Sequence, residues 1–141
     1  MTPTAPPDAS TDVRFAGAAR LLESPTALER IAGALVLGAL GDEHPSTRQA
    51  CARLLCAYLR TVPDDWDAET LTMPRAESNV RDEITAVIAR RLRLDTGNPW
   101  LAAHVDFARA ILGANVDLSR CVLTDACTFD NAVFTGTATF E

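Results

Sequence analysis

The sequence contains no lysine. All thirteen basic residues are arginine, set against nineteen carboxylates for a net charge of −6. With a composition rich in alanine, that absence reads as coding bias in a GC-rich genome more than as a binding surface. An acidic chain also disfavours general binding to nucleic-acid phosphates, which requires a clustered positive field. Histidine is nearly missing as well, with only His44 and His104 present. His44 falls at a helix start beside Asp42 and Glu43, where capping is the ordinary role, and His104 has no ligand partner at helical or strand spacing. The four cysteines, Cys51, Cys56, Cys121 and Cys127, include no close C-x-x-C pair. Cys51 and Cys56 would stand roughly 140° apart round a helix, which is no clean ligand pair. No Gly-rich phosphate loop and no nucleophile–base pair is visible. An enzyme is therefore not expected, and neither a metal nor a cofactor is called for.

Long hydrophobic runs are missing too. The longest charge-free apolar run, Ile31 to Gly41, has eleven residues, whereas a spanning helix needs about 20. The Pro- and Thr-rich N-terminus has no apolar core of the signal-peptide kind, so a cytoplasmic, reducing location is the expectation. What is present is enough apolar residue, 48% of 141 positions, to build a core. That length suits one domain, or a small domain with an appendage.

Residues 1–11, with three prolines, read as a loose tail. A first helix is expected over about Asp12 to Glu23. A second should follow with Ser24 as N-cap and Pro25 at its first position, and run to about Leu40. Leu28, Ile31, Ala32, Leu35 and Ala39 form its 3.6-residue stripe, and Leu37 and Leu40 widen it, so this helix should be covered on more than one side. Gly33 and Gly38 each cost roughly 1 kcal/mol in a helix interior, and close approach of a neighbouring helix would explain them. A third helix, about Pro45 to Val62, carries Cys51, Leu54, Leu55, Tyr58 and Leu59 on one side and Arg48, Arg53 and Arg60 largely on the other. With the second it should make an antiparallel hairpin. Residues 63–77 read as a surface loop holding Trp66. A fourth helix is expected from about Asn79 to Leu94, with Asp82 and Glu83 at its positive end and Arg90, Arg91 and Arg93 at its negative end. Residues 99–112 fit helical spacing as well as the pattern that follows.

That pattern fills the last third. Seven units share one form, a small apolar residue, any residue, then Leu or Phe. The pairs are Val105 and Phe107, Ala110 and Leu112, Val116 and Leu118, Cys121 and Leu123, Cys127 and Phe129, Ala132 and Phe134, and Ala138 and Phe140. The large residues advance in steps of 5, 6, 5, 6, 5, 6. A fixed step in sequence implies a fixed step in space, the mark of a solenoid.

These units resemble the pentapeptide-repeat family, and Val105-Asp106-Phe107 and Val116-Asp117-Leu118 match its form most fully. The eleven-residue period is similar to that of a Phe-rich subtype. The helical part adds to the likeness through Leu28-Glu29-Arg30-Ile31-Ala32, Glu43-His44-Pro45, Ala57-Tyr58-Leu59-Arg60 and Ile88-Ala89-Arg90-Arg91. These look like the helical segment that precedes the repeats in actinobacterial relatives. The resemblance implies an α+β chain: a helical domain over 12–103, then over 104–141 a right-handed quadrilateral β-helix of under two coils. Both apolar residues of each unit would point inward, which makes Cys121 and Cys127 wall packing. The extra residue of each six-residue step would bulge at a corner.

The function expected from all this is non-catalytic protein–protein interaction or scaffolding. Asp117, Asp125 and Asp130 lie on the outward face and would serve a protein partner of unknown identity. A DNA mimic that binds topoisomerases is an alternative reading, weakened by a net charge of only −3 over 105–141. A fragment of a larger membrane-associated relative is another. The coil ends abruptly after Phe140, so a homodimer through its open end is the oligomer the sequence allows.

Overall fold

A computed structural model of the chain describes residues 7–93, 100, 105–124 and 127–141. Helices come first: α1 (Pro7–Leu22), α2 (Ala27–Glu43), α3 (Arg48–Arg60) and α4 (Arg75–Leu92), with a single 3-10 turn, Pro45–Thr47, leading into α3. Four short strands follow: β1 (Ile111–Leu112), β2 (Asn115–Asp117), β3 (Val133–Phe134) and β4 (Thr137–Thr139). The fold is thus mixed, with an N-terminal helical part and a small region of two two-stranded sheets. Both pairs are parallel, β1 with β3 and β2 with β4.

α2 is the centre of the helical part and packs on α1, α3 and α4. Its buried residues are Gly33, Ala34, Leu37, Gly38, Leu40 and Gly41. The stripe expected to face the core is displaced: Leu28 is 75% exposed and Leu35 46%. The glycines explain why. A Cβ on Gly33 would lie 2.7 Å from the Ala18 carbonyl of α1, and one on Gly38 2.8 Å from Val87 of α4. The missing side chains let α1 come close at Gly33 and the Val87 and Arg91 side chains of α4 come close at Gly38, while Leu37 and Leu40 are fully buried.

The helix boundaries also move. α1 begins at Pro7 and buries Thr11, so 7–11 are helix rather than tail. The α2 N-cap is Thr26, with no side-chain cap bond. Ser24 instead donates its hydroxyl to Glu29, at 2.6 Å. The connection before α4 is an ordered loop, closed by reciprocal backbone bonds between Asp67 and Thr72. Residues 105–112 are not helical. The remainder of the ambiguous stretch, 99 and 101–104, lies outside the described residues, as does His104.

The strand region repeats itself at one interval. Ile111 pairs with Val133 and Asn115 with Thr137, each a step of 22 residues. Phe107 stacks on Phe129 at the same step, ring centroids 5.2 Å apart and planes 9° from parallel. Between strands the chain turns at Arg109, Arg120 and Asn131, all with φ near +60° and spaced eleven residues apart. Turn bonds run from Ala110 N–H to Phe107, from Cys121 N–H to Leu118 and from Ala132 N–H to Phe129. The positive φ at the third residue makes these type II turns. All three lie in the five-residue steps, while the six-residue step from Leu123 to Phe129 has a bond of its own, from the Cys127 amide to the Thr124 carbonyl at 2.9 Å.

Candidate functional site

The inward repeat positions divide by layer. Val105, Phe107, Ala110, Leu112, Val116 and Leu118 are all at most 3% exposed and belong to the common core. Cys121, Cys127, Phe129, Ala132, Phe134 and Ala138 are only half-buried. Leu123 is 36% exposed and Phe140 50%. The physical reason is position: among the described residues β3 and β4 are each paired on one side only, with β1 and β2, and no described residue is stacked on their other side. Burial raises the thiol pKa of Cys121, and that of Cys127 to about 11, which favours the neutral, unreactive thiol.

The expected partner face is partly committed to internal bonds. The Asp117 carboxylate accepts from the amide of Ser119 at 3.0 Å and from its hydroxyl at 2.5 Å, which lowers its pKa. Eleven residues earlier Asp106 makes the same turn with Ala108, at 3.0 Å, and also takes the hydroxyl of Thr128 in the next layer, at 3.1 Å. Burial pushes the Asp106 pKa up, but those donors and Arg60 outweigh it and hold it below the usual range. Asp130 is exposed. Asp125 lies outside the described residues.

Sequence reasoning missed the seam between helices and strands. Arg60, expected on an outer helix face, donates to the carbonyls of Asp106 (2.8 Å) and Ala108 (3.0 Å). Arg93 donates to the Ser119 carbonyl at 3.2 Å, and Asp82 accepts from the Asn115 amide at 3.0 Å. One 22-residue step on, the same four groups recur in the second layer. There the carbonyls of Thr128, Asp130 and Glu141 accept from the amides of Phe107, Arg109 and Arg120, and the Thr137 amide donates to Ala114. Side chains of α3 and α4 therefore occupy the hydrogen-bonding positions that a preceding layer of backbone would fill. Nothing periodic marks such residues, although Arg60 and Arg93, each at the C-terminal end of a helix, are a signal that could have found them.

Beneath that seam lies a buried charge cluster. Arg81 is fully buried and donates to Glu77 (2.8 Å) and to the carbonyls of Leu59 (3.0 Å), Thr61 (2.8 Å) and Ile111 (2.9 Å). It thereby ties α4 to the end of α3 and to β1. Glu77 also accepts from Arg30 at 3.0 Å and from the Tyr58 hydroxyl at 2.9 Å. The cluster floors an open groove of about 550 Å³ whose rim includes Ser24, Pro25, Pro63 and Asp64.

Burial first, then the adjacent Glu77 carboxylate, raises the Tyr58 pKa to about 12. The neutral phenol is the favoured form, so its contribution is complete below the unfolded value of about 10 and is lost as pH rises through the folded one. Tyr58 is the only tyrosine, which makes the test direct. Its ultraviolet titration in the folded protein should have a midpoint near 12, and Glu77→Gln should lower it. A wild-type midpoint at the unfolded value would show that the phenol is not held by Glu77.

Among the described residues no group of three or more His, Cys, Asp or Glu side chains is placed to hold a metal ion. Among them also, no helix is long and apolar enough to cross a membrane. No family model matches the chain, and neither does any curated protein or solved structure.

Proposed function

We propose that the chain is a non-catalytic interaction module of the pentapeptide-repeat type. In this reading residues 105–141 form nearly two coils of a right-handed, four-sided β-helix launched from a helical platform. The observation that carries it is the 22-residue parallel register, which equals four of the repeat units whose large residues step by 5, 6, 5 and 6. Two sides are the paired strands, and two of the corners lie at Arg109 and Arg120. A stack of this kind is stiff and presents regular outward positions, which suits it to hold a protein rather than to transform a substrate.

The coil is tested by cross-linking. Asn115→Cys with Thr137→Cys, which face each other in register, should form a disulfide under mild oxidation. Asn115→Cys with Thr139→Cys should not, and equal yields from both pairs would remove the coil. The interaction role is tested on the outward face. Asp130→Arg with Thr137→Arg should abolish capture of a protein partner from cell extract while leaving circular dichroism unchanged; undiminished capture would move the site elsewhere. DNA mimicry is the second reading, and unchanged gyrase supercoiling in excess protein would remove it.

A further inference from the structure

The groove above the buried charge cluster is lined by residues from 22 to 81 and owes nothing to the strands. The link from α1 to α2, the end of α3 and the start of α4 wall it, and it measures about 550 Å³. Its floor is unbalanced in charge. Arg30 and Arg81 are 16% and 1% exposed, and both pair with a single carboxylate, Glu77, at 3.0 and 2.8 Å. Among the described residues no second carboxylate pairs with either of them. Two largely covered cations thus share one counter-charge, where buried charges are ordinarily matched.

The hydrogen-bonding capacity left over in the groove has the same sign. Glu77 already accepts from Arg30, Arg81 and Tyr58. Arg30 commits one nitrogen to Glu77 and one to the Ser24 carbonyl, at 2.8 Å, while its Nε is buried and finds no partner. Native proteins satisfy such a donor with a water or an ion where no protein acceptor reaches it. The start of α4 adds further donors. Its N-cap is Pro74, which makes no side-chain cap bond, and among the described residues nothing accepts from the amides of Arg75, Ala76 and Glu77. Ala76 and Glu77 line the same groove, so the positive end of an 18-residue helix faces it.

We propose that this groove binds an oxyanion, a carboxylate or phosphate group, held by Arg30 and the first turn of α4. The anion supplies the missing counter-charge and gives the spare donors an acceptor. The groove is larger than such a group alone, and Pro25, Pro74 and Val62, which is 67% exposed, line the rest of it. The anion therefore arrives on an apolar body, as the terminal carboxylate of a peptide does. Glu23 and Asp64 are the carboxylates of the rim. Both are exposed, where water and salt screen them, whereas the floor charges are screened much less. The site stands or falls separately from the coil, because none of its lining residues belongs to the repeats.

The experiment is nuclear magnetic resonance of the 141-residue chain, titrated separately with inorganic phosphate, N-acetyl-leucine and N-acetyl-leucinamide. The Arg30 Nε–H and the amides of Ala76 and Glu77 are followed. Both anions should shift these resonances saturably, and the neutral amide should not. Tighter binding of N-acetyl-leucine assigns the anion to a peptide's terminal carboxylate, and tighter binding of phosphate assigns it to a phosphate group. Arg30→Gln should weaken either anion at least about tenfold, as loss of a charged hydrogen bond does. Asp64→Arg, at an exposed rim position, should tighten both with circular dichroism unchanged. The proposal is overturned by an absence of shifts with either anion, by equal shifts with the neutral amide, or by undiminished binding to Arg30→Gln. Should Arg30→Gln fail to fold, an affinity unaltered by Asp64→Arg overturns it alone.

Discussion

Replacing Arg81 by Met is expected to lower the unfolding free energy by about 3–5 kcal/mol, the usual cost of breaking a buried pair by removing one partner. The side chain is 1% exposed, so no solvent screens the loss. Glu77 keeps Arg30 and Tyr58 but loses its closest cation. The carbonyls of Leu59, Thr61 and Ile111 lose their donor together, and a buried acceptor left unpaired carries its own desolvation penalty. For a chain of this size the effect corresponds to a fall in melting temperature of about 10–20 °C. Two controls separate this account from a general sensitivity to losing arginine. Arg53→Met, at an exposed position of α3, should change stability by less than about 0.5 kcal/mol. Adding Glu77→Gln to Arg81→Met should recover part of the loss, because the stranded carboxylate is then gone. A melting temperature for Arg81→Met equal to wild type would show that the cluster does not hold the halves together.

Trp100→Ala should cost a similar amount, about 3–5 kcal/mol, as expected for removing a fully buried large side chain. Its indole is 0% exposed, donates to Asp42 at 2.9 Å and lies under the Arg91 guanidinium, 5.4 Å from the ring centroid. The notch that admits it is Gly41, where a Cβ would come within 2.5 Å of the ring. That contact predicts a sign of coupling as well as a magnitude. Gly41→Ala alone should destabilise by about 1–3 kcal/mol through overpacking, yet in the Trp100→Ala background it should cost much less, because the clashing ring is absent. Denaturation followed by the fluorescence of Trp66, the other tryptophan, reads all three variants. Strictly additive losses would place the indole away from Gly41.

How much of this was legible follows from where the information sits. The repeat positions were readable because a stacked layer imposes a period, and Phe107, Leu112 and Leu118 occupy the buried places their spacing assigned. The outer layer departs from uniform burial, since among the described residues nothing is stacked on its far side. In α2 the reading holds for Gly33 and Gly38, where α1 and α4 approach closely, and for Leu37 and Leu40, which are fully buried, but fails for Leu28 and Leu35, which are exposed. The two leucines continue the 3.6-residue apolar period, and the period alone does not say how far round the helix its neighbours reach. Ser24-Pro25 read as a helix start, while the chain uses Ser24 to tie Glu29 and starts α2 two residues later than expected, at Ala27. The seam was hidden for a different reason. Arg60, Arg81 and Arg93 reach across 20 to 48 positions of sequence to bond backbone, and a contact of that kind leaves no mark on the residues that receive it. Asp117 shows the same limit from the other side, since a carboxylate that looks free in a polar run is holding its own turn.

The arginine-capped edge also gives the stack a direction of growth. Because α3 and α4 stand where a preceding layer would be, the number of layers is decoupled from the way the stack begins. If residues 105–141 coil as proposed, insertion of 22 residues at the Asn131 turn would add one further layer in the same register, while insertion of eleven would carry the chain halfway round and interchange the two faces.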